Sequence, residues 1–131
     1  MSDRFPFHAP RHDAPPHAKR ILCVDADDST RLYAAELLYE YEVDFALTGD
    51  DAVQLAHARS YDLYLVDPDV PGCDNIDLLD DLRTYDPAAP VILCTRSNGT
   101  HPSFTTAHAC VTKPYAANTL REAVNSALEN L

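Results

Sequence analysis

The chain has 131 residues and a formal net charge of −11, and 46% of its residues are hydrophobic. This length is enough for one domain with a core. The excess of negative charge argues against nucleic acid and anionic membrane lipid as direct partners of the chain. No apolar run approaches the ~20 residues of a membrane-spanning helix, and the N-terminus has no apolar signal segment, so we predict a cytoplasmic protein.

Residues 1–19 differ in composition from the rest of the chain. They combine proline, histidine and scattered charges without hydrophobic periodicity. Such a segment does not bury enough apolar surface to offset the entropy lost on ordering. We therefore predict a flexible N-terminal tail over residues 1–19 and a folded domain over residues 20–131.

From Lys19 onward, short apolar runs alternate with segments of helical periodicity. The runs are typical of strands buried on both faces. They are predicted as strands at 20–25, 43–47, 61–67, 90–95 and 109–112, and helices are predicted at 28–41, 48–60, 74–85, 101–109 and 116–131. Five strands alternating with five helices indicate an α/β fold, in which a doubly wound parallel sheet is covered by helices on both faces.

The helix starts follow from capping residues. Asp28 or Ser29 is expected to cap the first helix, in which Leu32, Ala35 and Leu38 have helical spacing. Thr48 or Asp50 is expected to cap the second helix.

The four cysteines are Cys23, Cys73, Cys94 and Cys110. None is paired with another at a metal-binding spacing, and three lie in apolar runs. In a cytosolic chain this pattern favours buried small hydrophobic residues over disulfides or zinc ligands.

Polar residues stand where the predicted strands end. Asp25 ends the first strand, Asp67 the third, Thr95 the fourth and Lys113 the fifth. Because the carboxyl ends of parallel strands share one edge of the sheet, we expect these side chains to converge there. Two neighbouring carboxylates repel unless they share a cation, and Mg²⁺ accepts an all-oxygen site of this kind. With the lysine and the hydroxyl, this set suits phosphoryl transfer to a carboxylate.

Each of these residues, taken alone, also has an ordinary structural explanation. A strand-ending aspartate commonly caps the next helix, a threonine favours strands, and a lysine before proline is commonly solvated. Their coincidence at one edge of one sheet is what points to a site.

The same residues resemble the receiver domain of two-component response regulators over about residues 20–131. Four segments carry the resemblance: ILCVDADDSTR, DLYLVDPDVPGCDN, PVILCT and VTKPY. The spacing of Asp67, Pro71, Gly72 and Asp74, followed by Lys-Pro after the fifth strand, is the specific part. The resemblance implies a flavodoxin-like fold with strand order 2-1-3-4-5.

The resemblance also implies a role for each residue. Asp67 would take a phosphoryl group from a histidine kinase or a phosphotransfer protein. Asp25, Asp67 and the backbone carbonyl of Asp69 would hold Mg²⁺. Thr95 would be the switch hydroxyl, and Lys113 would bond the phosphoryl oxygens. Such a protein signals by changing its contacts with a downstream protein and is not a dedicated enzyme.

Three positions depart clearly from the family pattern, and a fourth departure, Asn75 in place of the usual glycine after Asp74, is mild because asparagine tolerates positive φ. Ala26 replaces the usual second acid, which is expected to weaken Mg²⁺ binding unless Asp27 substitutes for it. Arg96 replaces a small residue after the threonine, where it would hinder phosphodonors, clamp a phosphate or pair with Asp67. Cys110 replaces the usual switch aromatic residue, so the normal threonine–aromatic relay cannot operate.

These departures leave more than one functional class open. The first is a phosphorylatable receiver with modified kinetics. The second is a pseudo-receiver, a protein-binding module that works without phosphorylation. A small-molecule-binding flavodoxin-like protein is a third, and it is disfavoured because the chain has no glycine-rich loop to cradle a phosphate.

Overall fold

Five strands form one parallel sheet in the computed structural model of the chain, which describes residues 18–72, 75–96, 107 and 109–129, with the backbone alone for 75–77. The strands are β1 (Arg20–Val24), β2 (Glu42–Ala46), β3 (Leu63–Val66), β4 (Val91–Thr95) and β5 (Ala109–Thr112). Their order is β2-β1-β3-β4-β5, and every neighbouring pair is parallel. The predicted parallel sheet and its strand order are confirmed.

Four helices connect and cover the strands within the described residues. They are α1 (Asp28–Leu37), α2 (Gly49–Ala58), α3 (Asn75–Tyr85) and α4 (Ala117–Glu129). The further helix predicted at 101–109 falls almost wholly outside the described residues, and so do residues 1–17 of the predicted tail. No helix in the described ranges is both long enough and apolar enough to cross a membrane.

The sheet separates two hydrophobic cores because successive side chains of a strand point to opposite faces. On β1, Leu22 and Val24 belong to the core that α2 and α3 cover, where Leu55 and Leu82 pack. The alternate β1 residues Ile21 and Cys23 belong to the core on the α1 and α4 side. Strands buried on both faces explain the continuous apolar runs in the sequence.

The start of α1 differs from the prediction. Asp27, not Asp28 or Ser29, is the N-cap, and its side chain accepts a hydrogen bond from the Thr30 N–H at 2.8 Å. The inward face is therefore set by Arg31 and Ala34, which are buried, while Leu32 is 71% exposed. Leu38, the third residue of the helical spacing that includes Leu32, is buried, and Thr48 caps α2 as one of the two expected residues.

The cysteines divide by position. Cys23 and Cys94 are free and buried, and burial raises both thiol pKa values, that of Cys94 to about 12. Cys110 is also free but exposed, so its predicted burial is wrong. Its neighbour Val111 points into the core, and the alternation along the edge strand β5 turns Cys110 to the other face. Cys73 lies outside the described residues.

Candidate functional site

Three charged residues at one edge of the sheet are fixed by backbone hydrogen bonds that extend the strand ladders. The bonds run from the Asp25 N–H to the Ala46 carbonyl (2.9 Å), from the Asp67 N–H to the Val24 carbonyl (2.8 Å), and from the Lys113 N–H to the Thr95 carbonyl (2.8 Å). Each residue follows the end of its own strand and is still held by the neighbouring strand. The sheet therefore determines where these three side chains begin.

The two aspartates present their carboxylates in the same way. Oδ1 of Asp25 accepts the N–H of Asp27 at 2.9 Å, and Oδ1 of Asp67 accepts the N–H of Asp69 at 2.8 Å. These local bonds to the backbone two residues ahead orient each carboxylate in its turn. The second oxygen of each carboxylate is thereby directed to a common point.

Lys113 occupies that point. Its Nζ donates to Oδ2 of Asp25 at 2.5 Å and to Oδ2 of Asp67 at 2.8 Å. The side chains of Asp25 and Lys113 are each 3% exposed, whereas that of Asp67 is 12% exposed. Asp67 is therefore the carboxylate that solvent and an incoming group can reach.

The two hydrogen bonds from Lys113 to Asp25 and Asp67, called the Lys113 bridge below, also keep the lysine protonated. Burial by itself would lower the pKa of Lys113, but its hydrogen bonds to Asp25 and Asp67 outweigh that effect and raise the pKa above its ordinary value. The ammonium stays charged, so two carboxylates share one positive charge and the trio carries one net negative charge.

Asp27 is used as a helix cap and not as a third acid of the cluster. Its Oδ2 accepts both the N–H of Thr30 (2.8 Å) and the Thr30 hydroxyl (2.7 Å), and these bonds lower its pKa. Ala26, which precedes it, is exposed and carries no ligand atom. To bind a metal ion, Asp27 would have to exchange its capping bonds for the metal.

The loop after β3 is docked on the start of α2. Gly72 has φ +100°, a conformation that other residues rarely adopt, and a Cβ there would lie 3.1 Å from that of Thr48. The Gly49 N–H donates to the Pro71 carbonyl at 2.8 Å. This close approach explains the glycine at position 72 and holds the loop that carries the exposed Asp69. Asp74, the last residue of the spacing that begins at Asp67, lies outside the described residues.

The remaining predicted residues lie around the same edge. Thr95 is buried at the end of β4, and Arg96 directly after it is exposed. Arg96 lines a groove together with Lys113 and the first residues of α1, whereas the carboxylate of Asp67 is held by Lys113. Cys110 lies near the start of β5, two residues before the strand end and on an exposed face.

Arg31 is a residue of this region that the sequence analysis missed. It is buried, donates to the Asp25 carbonyl at 2.8 Å, and forms an ion pair with Asp28. It thus ties α1 to the end of β1. An arginine three residues after two consecutive aspartates, on the inward face of the helix, was the signal available in the sequence.

The donor set fits a hard divalent cation in part. Two carboxylate oxygens already converge on one cationic group, and Mg²⁺ commonly takes only one or two carboxylates while keeping several waters. Among the described residues, however, no group of three or more His, Cys, Asp or Glu side chains is placed to hold a metal ion. Asp25, Asp67 and the Asp69 carbonyl would be its ligands.

Comparison with known proteins identifies the family from the sequence. Residues 21–125 match the model of the response regulator receiver domain. The chain is 30% identical over 118 residues to the transcription factor prr1 of Schizosaccharomyces pombe and 29% identical over 118 residues to the chemotaxis protein CheY of Halobacterium salinarum. These matches cover 86% and 85% of the chain. The chain spans 22% of the first relative's length and 98% of the second's.

Solved structures agree with the fold. The response regulator TrrA of Thermotoga maritima, determined in complex with Mg²⁺ and BeF, is 32% identical with a TM-score of 0.76, and the match covers 84% of this chain and 99% of that one. A CheY-like receiver domain from Methanospirillum hungatei has a TM-score of 0.78 at 24% identity, covering 86% and 95% of the two chains, and supports the fold alone. The chain belongs to the response regulator receiver domain family.

Proposed function

We propose that the chain accepts a phosphoryl group on Asp67 from a histidine kinase or a phosphotransfer protein and then changes its contacts with a downstream protein. The observation that carries this proposal is the Lys113 bridge, which leaves Asp67 as the more exposed of two carboxylates beside a buried cation. A carboxylate that attacks phosphorus needs solvent access and a nearby positive charge, and Asp67 has both.

In the proposed step, an Asp67 carboxylate oxygen forms a bond to phosphorus as the P–N bond of the donor phosphohistidine breaks. The imidazole leaving group keeps the electron pair and takes up a proton. Lys113 would neutralise the phosphoryl oxygens, and Thr95 would be the hydroxyl that responds to the new group. The chain thus assists its own phosphorylation and is not a dedicated enzyme.

Asp25, Asp67 and the Asp69 carbonyl would hold Mg²⁺, which supplies additional positive charge to the phosphoryl oxygens when bound. The solved structure of TrrA with Mg²⁺ and BeF supports this assignment by family likeness. We expect weak binding, because Ala26 provides no carboxylate and Asp27 is engaged in capping α1.

The proposed partners are proteins. The net charge of −11 disfavours nucleic acid and anionic membranes as direct partners of the chain. We place the protein in the cytoplasm, where kinases with access to ATP would supply the phosphoryl group.

A second candidate function is a pseudo-receiver that binds partners without phosphorylation. Three observations favour it: the exposed Ala26 at an acid position, the exposed Arg96 beside the site, and Cys110 at the position of the switch aromatic residue. In this alternative the Asp25–Lys113–Asp67 cluster only stabilises the fold.

The two candidates differ in one measurement. The protein is incubated with a small phosphodonor and Mg²⁺, and its intact mass is recorded. The proposal expects a gain of one phosphoryl group that is base-labile, is lost in Asp67→Asn and is kept in Asp69→Ala. The second variant is a matched control because it removes a carboxylate from the same loop but keeps the backbone carbonyl. An unmodified wild type would leave the pseudo-receiver as the function.

A further inference from the structure

A surface groove opens beside the acid–lysine cluster, between α1 and the segments that follow β4 and β5. Its lining consists of Ser29, Thr30 and Tyr33 from α1, Arg96 after β4, and residues 113–115 after β5. Tyr33 and Tyr115 stack with ring centroids 5.7 Å apart. Arg96 and Lys113 are therefore two cations on one groove, one exposed at its surface and one buried against the carboxylates.

Arg96 is not committed to a partner within the described part of the chain. It makes no hydrogen bond or ion pair there, and its charge helps to lower the pKa of Asp27 after the larger effect of the bonds from Thr30. By contrast, three half-exposed arginines, Arg20, Arg59 and Arg121, each form an ion pair with a carboxylate. A guanidinium that lines a groove and forms no ion pair can bind an anion without first losing a carboxylate partner.

The net charge of the phosphorylated site favours the binding of a further cationic group. With a phosphoryl group on Asp67, Asp25 contributes −1, the phosphoryl group about −2 and Lys113 +1, so the net charge is about −2. Ala26 adds no negative charge. A guanidinium would halve the excess, and its planar donors match phosphoryl oxygens better than a point charge does.

We propose that Arg96 is a second cationic group for the phosphoryl anion on Asp67, acting with Lys113 and lessening the need for a divalent cation. This inference rests on the proposed function and assigns a residue that contacts the phosphoryl group. Arg96 would reach the anion from the groove while Lys113 holds it from beneath. The opposite role, in which Arg96 obstructs the groove, predicts the opposite effect of removing it.

The test uses beryllofluoride as a phosphoryl analogue and measures its binding to the full chain by ¹⁹F NMR, with Mg²⁺ and with a chelator. We expect Arg96→Ala to weaken binding by about tenfold in the chelator, as the loss of one charge-assisted hydrogen bond does, and by less with Mg²⁺. Arg96→Lys should keep part of the affinity. Lys19→Ala, an exposed change of equal charge at the opposite end of β1, should leave it unchanged.

The outcomes separate this inference from the proposed function. If wild type binds beryllofluoride with Mg²⁺ and Arg96→Ala binds equally well or more tightly in both conditions, the role of Arg96 is overturned while phosphorylation of Asp67 stands. If Lys19→Ala lost as much affinity for beryllofluoride as Arg96→Ala, the effect would come from net charge alone, and the role of Arg96 would also be overturned. If wild type binds no analogue and forms no adduct, both proposals are overturned.

Discussion

Two regions of the molecule bury an aspartate next to a cation, and they differ in how the charges balance. On the edge strand β2, Oδ2 of Asp44 accepts from Arg59 at 2.7 Å and from the Tyr61 hydroxyl at 2.6 Å. Asp44 is 1% exposed. At the end of β1 and β3, by contrast, two carboxylates share Lys113. The Asp44–Arg59 pair is neutral and its carboxylate is buried, whereas the Lys113 cluster keeps one surplus negative charge and one partly exposed carboxylate.

The difference indicates which region is structural. A matched ion pair with a hydroxyl donor satisfies a buried carboxylate, and the burial of Tyr61, together with its bond to Asp44, raises the pKa of the phenol. Nothing is gained there by binding a further ion. A cluster with surplus negative charge and an accessible oxygen gains from an added cation and can be modified.

The largest effect is expected for Lys113→Met, which removes the cation between Asp25 and Asp67. Two nearly buried carboxylates would then face each other without a counter-charge. Removing one partner of a buried pair costs about 3–5 kcal/mol, and we expect a loss in the free energy of unfolding of that order. Urea denaturation at neutral pH measures it. A loss below about 1 kcal/mol would mean that the bridge contributes little to stability.

The pH dependence checks the same bridge without a mutation. Because the folded-state pKa of Lys113 is raised, its contribution is fully present below the unfolded pKa of about 10.4 and is lost as the pH rises through the folded value. From neutral pH upward, the stability difference between wild type and Lys113→Met should therefore persist until that alkaline range and shrink there. A difference that is already lost at neutral pH would contradict the assignment.

A smaller effect is expected for Asp44→Asn in the β2 region. The change keeps the size of the side chain but removes the charge that Arg59 and Tyr61 both use. Hydrogen bonds to charged groups contribute about 1.5–3 kcal/mol, and Arg59 can recover part of this from solvent, so we expect a loss of about 1–3 kcal/mol. Thermal or urea unfolding measures it, and the Asp67 adduct should form as in wild type.

The sequence predicts the sheet and the residues at its edge well, because the end of an apolar run marks the end of a buried strand. This pattern predicts the positions of four residues at the edge of the sheet: Asp25, Asp67, Thr95 and Lys113. The bridge itself could not be predicted from local pattern. Lys113 is 88 residues from Asp25 and 46 from Asp67, and only the strand order brings them together.

The start of α1 shows why capping was harder to predict. Asp27, Asp28 and Ser29 are all good N-cap residues, and a shift of one residue rotates the helix face by about 100°. The choice is made by tertiary structure, since Arg31 must face inward to bond the Asp25 carbonyl. That bond turns Leu32 to the surface, contrary to the hydrophobic pattern.

The smallest effect on the free energy of unfolding is expected for Asp67→Asn, and a small effect would distinguish Asp67 from a structural aspartate. The amide loses one of the two hydrogen bonds of the carboxylate, because its nitrogen cannot accept from Lys113 or from the Asp69 N–H. The same change removes the surplus negative charge beside Asp25, which offsets that loss. We expect the free energy of unfolding to stay within about 1 kcal/mol of wild type. Side-by-side urea denaturation with Asp44→Asn measures the contrast. If Asp67→Asn were as destabilising as Asp44→Asn, Asp67 would be a structural residue like Asp44, and its surplus charge would no longer support a phosphoacceptor role.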